Sequence, residues 1–140
     1  MSDVFCVFAE LLILQLFQFA STQQSVSLNG SLSDNSAIPP GENITLKCIT
    51  KGSLILAWTG TSYVDSRIEF VTADQIGTMY TPSLYTTATL VNVSTDMSGQ
   101  YIIESHLNII VQSGIPTSMI TCHNVGTGET RALSFQSSSE

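Results

Sequence analysis

Apolar and polar residues alternate along several short segments of the chain. In the segment 44–50, Ile44, Leu46 and Cys48 alternate with polar residues. An alternation of period two is typical of a strand with one buried face. The same argument, with β-rich composition, predicts further strands over residues 54–58, 67–72, 86–93, 105–111, 119–124 and 129–135.

Turn signals separate these segments. Pro39-Pro40-Gly41 precedes the strand at 44–50, and Gly126-Thr127-Gly128 predicts a hairpin between the last two strands. No apolar repeat of 3.6 residues is sustained after residue 22. Seven to nine short strands therefore predict an all-β sandwich.

The N-terminal segment has a different pattern. Residues 4–20 form one apolar run, and the small residues Ala20 and Thr22 follow it at the −3 and −1 positions for cleavage. Asp3 is atypical, since the region before such a run usually carries positive charge. We interpret residues 1–22 as a signal peptide, so that the mature chain begins at Gln23 and is secreted. An uncleaved signal anchor and an amphipathic helix of a cytosolic fold are the alternatives.

Cysteine parity agrees with secretion. Removal of residues 1–22 removes Cys6 and leaves the even pair Cys48 and Cys122, as expected in an oxidising compartment. Acceptor motifs for N-linked glycans occur at Asn29, Asn43 and Asn92. Asn43 has the parity opposite to Cys48 and is expected to face solvent, and Asn29 lies in an N-terminal segment, 23–30. The orientation of Asn92 stays open, because it shares its parity with Leu90.

Composition narrows the function classes. The chain has 140 residues, room for one domain, and a hydrophobic share of 43% argues against disorder. A net charge of −7 argues against nucleic-acid binding. No later apolar stretch is long enough to span a membrane, so none is expected in the mature chain.

Candidate chemical sites are few. His106 and His123 are predicted on the exposed faces of strands, without the partner spacing of a metal or catalytic site. An acidic group of Asp65, Glu69 and Asp74 lacks the pattern of a calcium loop. We therefore expect no catalytic residue, no metal and no cofactor, and a chain that is not an enzyme.

The order Cys48, Trp58, Cys122, with the cysteines 74 positions apart, resembles a variable-type immunoglobulin domain. The resemblance covers residues 31–135 and implies an Ig-like, two-sheet antiparallel β-sandwich over 31–136. The serine-rich residues 137–140 are expected to form a disordered tail. The resemblance also implies a Cys48–Cys122 disulfide between the sheets. Divergent domains of this kind look most like invertebrate surface or secreted proteins. The expected core residues are Trp58, Leu46, Leu56, Leu107 and Ile109.

The chain departs from that family before Cys122. Pro116, Ser118 and Ile120 occupy the positions of the family's Asp, Gly and Tyr, so the tyrosine corner is missing. Residues 90–101 look like this corner, but Ile103 stands where the cysteine would be. The bridge at Cys122 is preferred, because the other interpretation leaves two unpaired thiols.

The expected function is an extracellular recognition module that binds a protein or glycan partner. The alternative is the first ectodomain of a larger receptor or adhesion protein, and a small enzyme or inhibitor is the third class. By analogy, binding would use the sheet that glycans leave clear, with a homodimer as one outcome, and an ordinary solvated sheet face is the other interpretation. The expected partner-binding residues are Tyr63, Arg67, His123 and Arg131.

Overall fold

The computed structural model describes residues 25–71 and 75–138, and the described chain forms ten strands. They are β1 (Val26–Gly30), β2 (Ser36–Ile38), β3 (Asn43–Lys51), β4 (Leu56–Gly60), β5 (Ile68–Phe70), β6 (Met79–Ser83), β7 (Thr86–Thr95), β8 (Tyr101–Ile110), β9 (Ser118–Asn124) and β10 (Thr130–Ser137). Within these ranges, no helix is long and apolar enough to cross a membrane.

The strands form two five-stranded sheets. Sheet 1 has the order β1-β3-β8-β7-β6 and is antiparallel throughout. Sheet 2 has the order β2-β10-β9-β4-β5 and is mixed, because β2 pairs with β10 in parallel. The predicted all-β sandwich is confirmed, with this one parallel pair as the difference from a purely antiparallel arrangement.

The core lies between the inner faces of the two sheets. Alternate residues of β3 are buried, as the period-two pattern of residues 44–50 predicts. The alternation also holds along β8, where Ile103, Ser105, Leu107 and Ile109 face inward. All five expected core residues have no exposed surface: Trp58, Leu46, Leu56, Leu107 and Ile109.

A disulfide joins Cys48 on β3 to Cys122 on β9, with an S–S distance of 2.01 Å. It therefore connects sheet 1 to sheet 2, and both cysteines are fully buried. The pairing preferred from the sequence is confirmed.

The segment 90–101, which resembled the family's corner, comprises the end of β7, a tight turn and the first residue of β8. The Oδ1 atom of Asp96 accepts hydrogen bonds from the backbone N–H groups of Ser98 and Gln100, at 2.9 and 3.0 Å. The Lys51 ammonium lies 3.1 Å from Oδ2 of the same carboxylate. Asp96 therefore organises a hairpin within sheet 1.

A β-bulge at Val91 interrupts the pairing of β7 with β8. Leu90 lies opposite Ser105 and Asn92 lies opposite Glu104, so Val91 is an extra residue. Leu90 is fully buried whereas Asn92 is exposed, although the two share a parity in the sequence. The bulge thus decides the orientation that the sequence left open.

The domain boundaries require correction at both ends. The segment 23–30, expected to precede the domain, contains β1, which pairs with β3 over five residues and buries Val26. At the other end, Ser137 belongs to β10, and the Ser138 N–H donates to the carbonyl of Ile38. The expected disorder therefore does not apply to these two residues. The predicted signal peptide, residues 1–22, and the last two residues lie outside the described parts.

Candidate functional site

The outer face of sheet 2 is the candidate site expected from the sequence. The strand register sets Glu69, Ala57, His123 and Thr130 side by side across β5, β4, β9 and β10. Ala57 has no exposed surface although it faces away from the core. Its methyl group is therefore covered by the longer side chains beside it, which include Glu69 and His123 as direct neighbours.

Arg67 and Glu69 form the charged part of this face. Arg67 Nε lies 2.6 Å from Oε2 of Glu69, and the two side chains are 44% and 43% exposed. They lie two residues apart around β5, so both project to the same side of this edge strand. An exposed pair of this kind contributes little to stability and stays available for other contacts.

His123 lies half-buried in the middle of the face. Its Nε2 is 2.6 Å from Oγ1 of Thr59 on the neighbouring strand β4. Burial lowers the pKa of His123 below 6.5, and the positive charge of Arg67 lowers it further. Both effects favour the neutral imidazole, which retains one donor and one acceptor nitrogen.

Tyr63 is a correction to the expected binding residues. It is 3% exposed and packs in the core, with its ring centroid 5.5 Å from that of Phe135. Its hydroxyl oxygen accepts a hydrogen bond of 2.9 Å from the Gln112 N–H. The aromatic ring and its polar tip both find partners inside the sandwich, so the side chain is not available to a ligand.

Arg131 is the second correction. It lies directly opposite Cys122, so it projects from the inner side of sheet 2 rather than the outer one. Arg131 Nη2 is 2.8 Å from Oε2 of Glu129, and Glu129 in turn accepts hydrogen bonds from the Ser25 N–H and hydroxyl. Arg131 therefore belongs to the contact between β10 and the start of β1.

Of the four expected binding residues, the structure brings Arg67 and His123 to one face. Thr59 belongs to the same face and was missed. The alternation that buries Trp58 indicates an outward position for the residue after it, which was a usable signal. The resulting outer-face cluster consists of Thr59, Arg67, Glu69 and His123.

The three acceptor asparagines lie on the other side of the molecule. Asn29 is opposite Lys47, Asn43 is opposite Ile110, and Asn92 is opposite Glu104. All three are exposed, and these pairs belong to the outward set of sheet 1. The outer face of sheet 1 therefore carries every acceptor motif of the chain.

The acidic group weighed as a metal site does not assemble in the described residues. Glu69 is engaged by Arg67, and Asp74 lies outside the described ranges. Within 25–71 and 75–138, no three His, Cys, Asp or Glu side chains are grouped so as to hold a metal ion.

Comparisons with known proteins returned no match: no family model, no curated protein and no solved structure is similar to this chain at a significant level.

Proposed function

We propose that the chain is an extracellular, non-enzymatic recognition module that binds a protein or glycan partner through the outer face of sheet 2. The observation that carries this proposal is the asymmetry of the two sheets. The outer face of sheet 1 holds Asn29, Asn43 and Asn92, whereas the strands of sheet 2 contain no acceptor motif. Glycans on sheet 1 would leave sheet 2 as the protein surface open to a partner.

The strand arrangement supports an immunoglobulin-like domain of the variable type. In that family the first cysteine lies on strand B, the tryptophan on strand C and the second cysteine on strand F. Here β3 carries Cys48, and the neighbouring strands β4 and β9 carry Trp58 and Cys122. The buried disulfide also fits a protein that folds in an oxidising compartment.

The outer-face cluster has the chemistry of a recognition surface. Arg67 and Glu69 offer a donor fork and an acceptor at the edge of the face, and His123 adds a neutral imidazole near its centre. Arginine is enriched among residues that dominate binding energy.

The chain offers a matched control for a binding experiment. Lys47 and His106 are directly opposite each other on the outer face of sheet 1, where His106 Nε2 lies 2.8 Å from Oε2 of Glu104. This group therefore repeats the base, acid and histidine of the outer-face cluster on the other sheet. The double variants Arg67→Ala/His123→Ala and Lys47→Ala/His106→Ala remove equivalent groups from opposite faces.

Labelled tetramers of the secreted domain, tested on arrays of extracellular proteins and glycans, provide the measurement. We expect Arg67→Ala/His123→Ala to lose at least tenfold in apparent affinity for any bound partner, while Lys47→Ala/His106→Ala and Arg131→Ala retain it. Equal melting temperatures would exclude unfolding as the cause. Loss of binding in the sheet 1 variant alone would contradict the proposal. Sedimentation of the wild-type chain tests whether the partner is a second copy.

A further inference from the structure

We propose that the N-linked glycan on Asn43 folds back onto the protein and covers an apolar pair formed by Ile110 and Tyr85. This inference rests on the proposed function, since it requires a chain that is glycosylated in a secretory pathway. It adds a structural role for one of the three glycans and distinguishes that glycan from the other two.

The geometry places the asparagine beside the apolar pair. Asn43 and Ile110 are direct cross-strand partners at the end of the β3–β8 ladder. The Ile110 N–H donates a 2.8 Å hydrogen bond to the carbonyl of Tyr85, so Tyr85 lies beyond Ile110 in the same row. With strands about 4.8 Å apart, the row from Asn43 to Tyr85 spans about 10 Å.

Both apolar side chains are incompletely covered by the protein itself. Ile110 is 39% exposed and Tyr85 is 40% exposed. Neighbours in such a row lie within side-chain reach of one another. A group attached to the Asn43 amide therefore begins within contact distance of Ile110.

An N-acetylglucosamine ring suits this surface chemically. One side of the sugar ring presents C–H groups and packs on apolar and aromatic side chains, while its hydroxyl groups remain in water. Burial of the remaining apolar area of Ile110 and Tyr85 would favour the folded state, because the two side chains lie side by side as one apolar surface only when the strands are paired. The attachment makes this contact intramolecular, so no association entropy opposes it.

The other two acceptors lack such a row. Asn29 lies opposite the ammonium of Lys47, and Asn92 lies opposite the carboxylate of Glu104. The direct cross-strand neighbour of each of these glycans is a charged, hydrated side chain that gains nothing from being covered. Asn29 and Asn92 therefore serve as controls for the effect of attaching a glycan where no apolar pair lies beside it.

The test is a double-mutant cycle that measures how far the stabilisation by the Asn43 glycan depends on the apolar pair. Asn29→Gln/Asn92→Gln protein, made in a eukaryotic secretory host, carries its glycan at Asn43 alone, and the further change Asn43→Gln removes it. Each form is compared with its Ile110→Ala/Tyr85→Ala counterpart, because Ile110→Thr would create a new acceptor motif at Asn108. We expect the Asn43 glycan to raise the melting temperature by several degrees in the wild-type background and by less than about one degree in the variant background.

A parallel series keeps the glycan at Asn92 and removes those at Asn29 and Asn43. Loss of the Asn92 glycan is expected to change the melting temperature by less than about one degree in either background. The ring resonances of Tyr85 provide a second measurement, and they should shift on loss of the Asn43 glycan but not of the Asn92 glycan.

The outcomes distinguish a failure of the proposed glycan contact from a failure of the proposed glycosylation. An Asn43 that mass spectrometry finds unmodified in secreted protein would overturn this inference and weaken the proposed glycoprotein itself. A glycan that is present but stabilises both backgrounds equally, and leaves the Tyr85 resonances unchanged, would overturn the inference alone.

Discussion

Trp58 and Ser105 connect the two sheets by a hydrogen bond of 2.9 Å from the indole Nε1 to the serine Oγ. Both residues are fully buried, and the serine hydroxyl in turn donates to the carbonyl of Thr89 at 2.9 Å. Trp58 lies opposite Cys122 in sheet 2, and Cys48 lies opposite Ser105 in sheet 1. The hydrogen bond and the disulfide are therefore adjacent links across the core.

Replacement of Ser105 by alanine is expected to destabilise the domain by about 1–3 kcal/mol, because it leaves the buried indole N–H without its acceptor. The free energy of unfolding from urea denaturation measures the effect. Ser113→Ala, at an exposed residue between β8 and β9 that belongs to no acceptor motif, is the control and should change stability by less than about 0.5 kcal/mol. Equal stability of the two variants would show that the bond contributes nothing.

Removal of the disulfide is expected to cost about 2–5 kcal/mol, since the bridge closes a long loop and restricts the unfolded chain. The double variant Cys48→Ala/Cys122→Ala, compared with wild type in urea, gives the value. Alkylation of native protein followed by mass spectrometry should find no free thiol at either position. Modification of both cysteines without denaturant would refute the pairing.

The lowered pKa of Asp96 predicts that the folding stability decreases at acidic pH. Hydrogen bonds from Ser98 and Gln100 and the contact with Lys51 hold the pKa of its carboxyl well below the usual 3.8, although desolvation opposes them. The unfolded chain therefore takes up this proton first, so the stabilisation is complete above about pH 4 and is lost as the pH falls towards the lowered pKa.

Asp96→Asn would create an acceptor motif for an N-linked glycan, whereas Asp96→Ser keeps an oxygen acceptor in the turn and removes the titration. We expect the difference in unfolding free energy between wild type and this variant to shrink between pH 5 and pH 2. A difference that stays constant over that range would contradict the assignment.

His123 predicts a second pH dependence, on the candidate face. Burial and the charge of Arg67 lower its pKa below 6.5, so the unfolded chain binds the proton more readily and stability declines as the pH falls below about 6.5. Titration of the imidazole resonances by NMR should give a midpoint below 6.5. Arg67→Gln should raise that midpoint, and a midpoint above 6.5 in the wild-type protein would be incompatible with the described packing.

The sequence predicts the central strands well because they have one buried and one solvated face. The alternation around Cys48 and Leu107 reports that asymmetry directly. The strand predicted over residues 54–58 begins later than expected, since Leu54 precedes β4 and is 49% exposed. A local turn, in which the Ile55 N–H donates to the Ser53 hydroxyl, delays the strand to Leu56.

The edge strand β6 could not be predicted from periodicity. Its residues are exposed or half-exposed, and Pro82 within it has no N–H to donate. An edge strand of this kind depends on its neighbour β7 for its conformation. Apolar and polar residues alternate in a strand because one of its faces is buried, so a strand without a buried face shows no alternation.

Part of the candidate face was predictable, and part was misread for identifiable reasons. Arg131 shares its parity with the buried Leu133 and Phe135, so its inner position was already indicated in the sequence. The burial of Tyr63 was not, because a loop residue has no period. Its place is set by contacts with Phe135 and Gln112, which are distant in sequence.

The bulge at Val91 also determines how β7 tolerates a change of length. The ladder is regular up to Leu90 and resumes at Asn92, so both flanks are already in the register that an uninterrupted strand would have. A chain lacking Val91 would keep Leu90 inside and Asn92 outside. This position can therefore lose one residue without exchanging the two faces of the sheet, whereas the same deletion within the regular part of β3 would turn buried residues on one side of the deletion to solvent.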